Sequence, residues 1–293
     1  MKFVVTGGAG FVGTNLIKRL LSDGHEVLSV DNYSTGKKNN HIDNTDVGYM
    51  QKDISDIDIY KGMPMHVDGV FHLAALARIQ PSFEHPSLSF EANSLGTQYL
   101  MEWVRKKECP LVYAGSSSIH GDKYANPYTF TKYIGEEIIK MYAKLFDVPT
   151  IITRFYNVYG EHQATEGAYC NVLGVFERLY KNNQPLTITG DGEQRRDFTY
   201  VGDIVDGIVK SMEAMHGAID MKYTAEEFEL GRGKNYSINE IANAFGDMYA
   251  KEYIDAWPGE VRETLNTDTK AREVLGWEPT VDIIDFIEEN YVR

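Results

Sequence analysis

The sequence predicts an α/β protein: a Rossmann-like, doubly wound parallel sheet with a smaller mixed α/β C-terminal lobe suited to holding a substrate. Three observations predict it. Short β-rich runs alternate with amphipathic stretches through the first half of the chain. A glycine-rich turn joins the first β-rich run to the first amphipathic stretch, and past about residue 154 the alternation gives way to segments rich in glycine and aromatic residues.

In order, Phe3 to Val5 forms the first strand, and Leu16, Ile17, Leu20 and Leu21 recur at helical spacing behind it. Ser22-Asp23-Gly24 ends that helix, and Glu26 to Val30 makes the second strand. Val70 to Leu73, Leu111 to Ala114 and Thr150 to Thr153 continue the series, with right-handed crossovers placing helices on both faces. Beyond residue 154, Pro185, Gly190, Gly192, Gly231, Gly233, Pro258 and Gly259 punctuate short segments. The predicted division gives 1–153, with a returning segment near 196–220, to the parallel-sheet domain. Residues 154–195 and 221–293 go to the second lobe, with a ligand cleft between the two.

Composition narrows the functions. A chain of 293 residues, 43% hydrophobic, can bury a large core. With 29 Lys plus Arg against 43 Asp plus Glu, its net charge is -14, and no basic block marks a nucleic-acid surface, so an anionic ligand needs locally placed groups. Cys109 and Cys170 share no metal-ligand spacing, so no metal site is expected, and so few thiols suit a reducing compartment. No apolar run approaches the roughly 18 residues of a membrane span, and the N-terminus enters a strand directly. The expectation is a cytoplasmic protein without a membrane partner.

Thr6-Gly7-Gly8-Ala9-Gly10-Phe11-Val12-Gly13 follows the first strand and opens the first helix. Gly7, Gly10 and Gly13 allow a tight turn, close approach of backbone to a pyrophosphate and close helix-to-strand packing, while the Phe11 and Val12 amides lie at the positive helix end. Asp31 ends the second strand, where a carboxylate accepts hydrogen bonds from an adenosine ribose and repels a 2'-phosphate, so NAD is the expected cofactor. Asp53-Ile54 follows another extended segment and could meet the adenine. Leu73-Ala74-Ala75 after His72 are small enough to let a cofactor near the backbone.

Tyr128 and Lys132 stand four residues apart, hence on one helix face. A free tyrosine, with a pKa of about 10, is a poor base near neutrality, and moving it to about 7 requires roughly 4 kcal/mol of preferential stabilisation of phenolate. Lys132 and an oxidised nicotinamide are two positive charges able to supply it. Ser116-Ser117-Ser118 follows the strand Leu111 to Ala114, at the strand end where open α/β sheets hold ligands.

At this point the chain resembles the extended short-chain dehydrogenase/reductase family, in its nucleotide-sugar epimerase branch. The similarity is carried by the fingerprint, Asp31-Asn32-Tyr33-Ser34-Thr35-Gly36, His72-Leu73-Ala74-Ala75, Asn93 with Gly96-Thr97, and Ser116-Ser117-Ser118. It continues through Tyr128 with Lys132, Arg154-Phe155-Tyr156-Asn157-Val158-Tyr159-Gly160, and the run Gly190 to Phe198. The resemblance implies NAD-dependent epimerisation at C4 of a nucleotide sugar, a UDP-glucose/UDP-galactose pair with N-acetyl forms admitted, through a transient 4-keto intermediate.

By the same resemblance Tyr128 is the acid/base, Lys132 lowers its pKa and holds the nicotinamide ribose, and Ser116, with Ser117 beside it, meets the reacting sugar hydroxyl. Asn32 and Asn93 are implied cofactor contacts. Asn157 and Arg196 would grip the diphosphate, Glu260 the nucleotide ribose and Arg262 a further phosphate. Thr264, four positions beyond Glu260, would border the sugar's C2 substituent, and its small size would admit an N-acetyl group. A homodimer through the helices containing Asn93 to Lys106 and Tyr128 to Phe146 is also implied. The loop Asp122 to Pro127 before Tyr128 is shorter than is usual in the family, so one wall of the sugar pocket is open or supplied differently.

Rival readings are a UDP-uronic acid epimerase or decarboxylase, another nucleotide-sugar dehydratase on the same fold, and a non-catalytic NAD-binding sensor or scaffold. Ser117 and Ser118 cannot do the work of a dehydratase's Asp-Glu pair, and retention of Ser116, Tyr128 and Lys132 argues against a scaffold.

Overall fold

The computed structural model describes residues 1–217, 223–256 and 261–292. The first half runs β1 (Lys2–Thr6), α1 (Phe11–Ser22), β2 (Glu26–Asp31), β3 (Val47–Gln51), β4 (Gly69–His72), α2 (Ile79–Glu84), α3 (Pro86–Phe90), α4 (Gly96–Lys107), β5 (Leu111–Ser116), α5 (Pro127–Phe146) and β6 (Thr150–Phe155). It continues with β7 (Asn157–Tyr159), α6 (Val172–Lys181), β8 (Leu186–Thr189), β9 (Arg195–Tyr200), α7 (Val201–Gly217) and β10 (Thr224–Leu230). Last come β11 (Asn235–Ser237), α8 (Ile238–Asn243), β12 (Lys251–Ile254), α9 (Lys270–Leu275) and α10 (Ile283–Tyr291).

The fold is the predicted one. A seven-stranded parallel sheet has the order β10-β6-β5-β4-β1-β2-β3, so the chain reverses direction across the sheet between β1 and β4. Register aligns the strand ends: Thr6 pairs with both Val30 and His72. The loops after β1, β2 and β4 therefore meet at one crevice, the ligand edge of such sheets. The strands are buried on both faces, which is why they are near-continuous apolar runs. Leu16, Ile17 and Leu20 of α1 pack with Ile204, Val205 and Ile208 of α7 on one face, and Leu100, Val104, Ile139 and Tyr142 of α4 and α5 cover the other. Among the described residues, no helix is long and apolar enough to cross a membrane.

The predicted boundaries need correction. Residues 221–293 do not all go to the second lobe, because β10 adds to β6 as the outer strand of the large sheet, and Ala271 and Trp277 pack into its core. Three glutamates disguise β10 as loop, and each is neutralised from an adjacent element: Glu226 by Lys270, Glu227 by Lys140 and Glu229 by Arg154. Within 196–220 only α7 joins the large sheet, since β9 lies between β11 and β7 in a small sheet. The lobe has its own core, with Leu173, Phe176, Ile188, Phe198, Ile241 and Phe286.

Candidate active site

The glycine turn after β1 is shaped by close approach. Gly7 has φ +73°, and a Cβ there would stand 2.8 Å from the Ala74 amide nitrogen, so the loop after β4 leaves no room for a side chain. A Cβ on Gly13 would lie 2.2 Å from the Gly7 carbonyl oxygen. Gly10 caps α1 in extended conformation without a side-chain cap, leaving the first-turn amides around Phe11 and Val12 to an external acceptor.

Asp31, 8% exposed at the end of β2, accepts hydrogen bonds from the Ala9 amide (3.0 Å) and the Tyr33 amide (2.7 Å). Burial raises its pKa above the ordinary carboxylate value, against the two backbone bonds. Each carboxylate oxygen keeps accepting capacity for a hydroxyl. Asn32 Nδ2 donates to Asp53 Oδ2 at 2.7 Å, closing this end of the crevice, and Ile54 is buried beneath. A glycine cradle that Cβ atoms would fill, an uncapped helix end and a carboxylate in sequence fit an adenine dinucleotide. Leu73, Ala74 and Ala75 line the crevice as partly buried residues.

Asn93 stands differently from its expectation as a cofactor contact. Its Oδ1 accepts from the Leu76 amide (2.8 Å), and its Nδ2 donates to the Leu76 carbonyl (3.2 Å) and Thr131 Oγ1 (3.0 Å). Both amide hydrogens are thereby engaged, and Asn93 pins the loop after β4 to α5. His72 is a second pin missed from sequence: its ring nitrogens meet Thr6 Oγ1 (2.7 Å) and Thr97 Oγ1 (2.9 Å). Burial, reinforced by the charge of Lys132, lowers its pKa to about 3, so it is neutral.

The catalytic candidates converge. Asn126 caps α5 by accepting from the Thr129 amide at 2.8 Å, and Pro127 occupies the first turn. These place Tyr128 at the helix start, where its hydroxyl donates to Ser116 Oγ at 3.1 Å. Ser116 ends β5, and its Oγ also donates to Ser118 Oγ at 3.0 Å. Of the serine run, Ser116 is thus the one joined to the phenol, while Ser117 opens the short turn behind it. One helical turn on, Lys132 is 4% exposed, its Nζ donating to the Ala114 carbonyl at 2.5 Å and lying 4.3 Å from the Tyr113 ring centroid. Burial lowers Lys132 to about 8, partly opposed by Glu136.

The expected depression of Tyr128 is not achieved by this chain's own groups. Burial raises its pKa, outweighing the Ser116 hydrogen bond and the Arg78 charge, and Glu136 adds to the rise.

The residues expected at the nucleotide divide. Asn157 Nδ2 donates to the Asp197 carbonyl (3.0 Å) and to Thr264 Oγ1 (3.3 Å), and Thr264 Oγ1 also accepts from the Asp197 amide (3.2 Å). Arg196 lies on the same strand, with Nη1 2.9 Å from the Arg195 carbonyl. Asn157 and Thr264 are therefore joined through Asp197, beside Arg196 on β9, and the Thr264 hydroxyl oxygen is fixed by the two bonds it accepts. Arg262 stands apart, with a bidentate pair to Asp191 at 2.8 and 3.0 Å on the exposed rim. A carboxylate holds the cation assigned to phosphate. Glu260 lies outside the described residues. Missed altogether was Asp197, whose buried carboxylate accepts from the Arg232, Gly233 and Asn266 amides and fastens the lobe's loops to β9.

Comparison with known proteins follows the same lines. Residues 3–223 match the family described as the NAD dependent epimerase/dehydratase family. A putative UDP-glucose 4-epimerase of Methanocaldococcus jannaschii is 33% identical, over 97% of this chain and 95% of that one. Among solved structures, UDP-glucose 4-epimerase of Thermotoga maritima with UDP-glucose superposes with TM-score 0.88 at 29% identity, covering 97% of this chain and 96% of that chain. UDP-glucuronic acid 4-epimerase of Bacillus cereus, in complex with UDP-glucuronic acid and NAD, also gives TM-score 0.88 at 29% identity, over 99% and 98% of the two chains.

Proposed function

Because the chain belongs to the NAD-dependent epimerase/dehydratase family, we propose that it inverts C4 of a UDP-sugar, interconverting UDP-glucose and UDP-galactose with NAD as a cofactor regenerated in each cycle. The observation that carries this reading is the hydrogen bond of 3.1 Å from Tyr128 to Ser116, with buried Lys132 one helical turn on from the phenol. When bound, NAD accepts the C4 hydride and returns it.

The chain's own groups do the rest. Gly7, Gly10, Phe11, Val12 and Gly13 hold the pyrophosphate, and Asp31 the adenosine ribose, with Asn32, Asp53 and Ile54 around the adenine. Ser116 orients the sugar's C4 hydroxyl, and Tyr128 takes its proton as the 4-keto sugar forms and gives it back on the return. Lys132, one helical turn on from Tyr128, supplies a positive charge that favours phenolate, and Asn157 with Arg196 binds the diphosphate. The anions are thereby bound by locally placed groups, backbone amides and the Arg196 guanidinium, in a chain of net charge -14.

Incubating the purified protein with UDP-glucose, UDP-N-acetylglucosamine and UDP-glucuronic acid, with products identified by NMR, tests the reading. Formation of UDP-galactose is the expected result. Turnover of UDP-glucuronic acid alone would replace it with the uronic acid reading, which the similarity to the Bacillus cereus enzyme favours as the second choice. Turnover of none would defeat both.

A further inference from the structure

The segment between β2 and β3 is polar and short of apolar residues, so nothing in its sequence promises a fixed path. It is nevertheless tied to the cofactor crevice. The Lys37 amide and Asn40 Nδ2 both donate to the Ala9 carbonyl of the glycine turn, at 3.1 and 2.9 Å. Gly36 packs so closely onto the Asp31 carboxylate that a Cβ there would stand 2.9 Å from Asp31 Oδ2.

Tyr33 is where this path is strained. Its φ is +62°, in the left-handed region that a residue with a bulky side chain rarely adopts. In that conformation its amide donates to Asp31 Oδ1 at 2.7 Å, one of the two backbone bonds that aim the carboxylate. Its side chain is held from further along the segment: the Tyr33 hydroxyl is hydrogen-bonded to His41 Nε2 at 2.8 Å, and the Lys38 ammonium lies 5.5 Å from the Tyr33 ring centroid. His41 is exposed, yet its ring is stacked on Tyr49 of β3, with centroids 3.7 Å apart and planes 8° from parallel. The Ile42 amide donates to the Tyr49 hydroxyl at 2.8 Å, so the next residue is anchored to the same side chain. Tyr49 is paired with Ser29 of β2, which makes the sheet edge the fixed wall against which His41 is set.

We propose that His41 is a positioning residue for the cofactor: stacked on Tyr49, it holds Tyr33 in its left-handed conformation, and through the Tyr33 amide it holds the Asp31 carboxylate in the orientation that receives the adenosine ribose. The inference rests on the reading of this crevice as an NAD site, not on which sugar is turned over. Order built into the protein before binding is not charged to the ligand, and affinity gained in this way shows chiefly as slower dissociation. Slow dissociation suits a cofactor that is regenerated in each cycle.

Cofactor release tests this without turnover. NADH bound to the protein is displaced by excess NAD, and the change in its fluorescence gives the dissociation rate. The same measurement is made with the NADH analogue that lacks the adenosine 2'-hydroxyl, the group through which such a carboxylate acts. His41→Ala is expected to release NADH about 10-fold faster, whereas the analogue, already without that bond, should be released less than about threefold faster. Tyr33→Phe removes only the hydroxyl bonded to His41, and His41→Phe loses the same bond while keeping an aromatic ring against Tyr49. The double variant should therefore release NADH no faster than the faster of the two single ones. Thermal unfolding without cofactor checks that each variant is folded. Equal acceleration of NADH and its analogue, an unchanged rate in a folded His41→Ala, or a wild-type protein that binds no NADH overturns the proposal. Release altered as expected in a protein that converts no nucleotide sugar upholds the role of His41 and defeats the epimerase reading.

Discussion

At Tyr128 the protein works against itself: the burial that excludes water from the reacting hydroxyl also raises the phenol's pKa, while the Ser116 hydrogen bond and the Arg78 charge pull it down. Tyr128→Phe removes only the hydroxyl that donates to Ser116, so it should lower turnover of the accepted UDP-sugar by about 10²- to 10⁴-fold while NAD affinity and melting temperature stay near wild type. Steady-state kinetics and a fluorescence titration with NAD measure both halves, and near-wild-type turnover would remove Tyr128 from the acid/base role. The positions of the glycine fingerprint, Asp31, Tyr128 and Lys132 were legible because they depend on short fixed spacings along one turn, strand end or helix face. The links made by Ser82 and Asp197 were not, since each depends on a partner distant in sequence.

At the scale of elements, β6, β10 and α5 are joined by ions. Arg154 on β6 meets Glu136 of α5 and Glu227 and Glu229 of β10 at 2.8 to 2.9 Å, and His120 Nε2 lies 3.0 Å from Glu229. Burial works against the charged form of Glu227, but Lys140 and Arg154 outweigh it and hold its pKa below the ordinary value; at Glu229, His120 and Arg154 do the same. Carboxylates with lowered pKa contribute stability that is present above the ordinary value of 4.5 and is lost as the pH falls through the lowered one. Arg154→Met leaves the acids without their shared cation, so it should cost about 3 to 5 kcal/mol at pH 7. The gap from wild type should narrow as the pH falls, first above 4.5 as the uncompensated buried acids of the variant take up protons and then below it as the wild type loses its network. Urea unfolding at several pH values measures this, and a gap independent of pH would mean that packing, not charge, joins these strands.

At the scale of the whole molecule, the outer face of α5 is left incomplete. Ile134 and Ile138 are half-buried, whereas Met141, Leu145 and Phe146 are 44%, 64% and 45% exposed. Together with the Arg105 guanidinium of α4, 4.6 Å from the Phe146 ring centroid, they form a face suited to a second copy. The expected assembly is a homodimer through α4 and α5. Leu145→Glu with Met141→Glu should convert it to a monomer at micromolar concentration, with the secondary structure retained. Light scattering decides, and a wild-type monomer under those conditions would refute the dimer.

The sequence by itself determined the parallel sheet, the glycine turn with Asp31 at its crevice and the placing of Tyr128 and Lys132 one helical turn apart, because periodicity and spacing within a single βα unit already specify where backbone amides, a carboxylate and one helix face must lie. Only the tertiary structure decided that β10 closes the large sheet, since its glutamates become acceptable in a strand once Arg154, Lys140 and Lys270 lie against them. It also decided that Asn93 ties the loop after β4 to α5, that Thr264 Oγ1 accepts from Asn157 and the Asp197 amide, and that Arg262 is held by Asp191. Each of these depends on which distant group satisfies a hydrogen bond or balances a charge, and that choice is made by packing across elements rather than by local order along the chain.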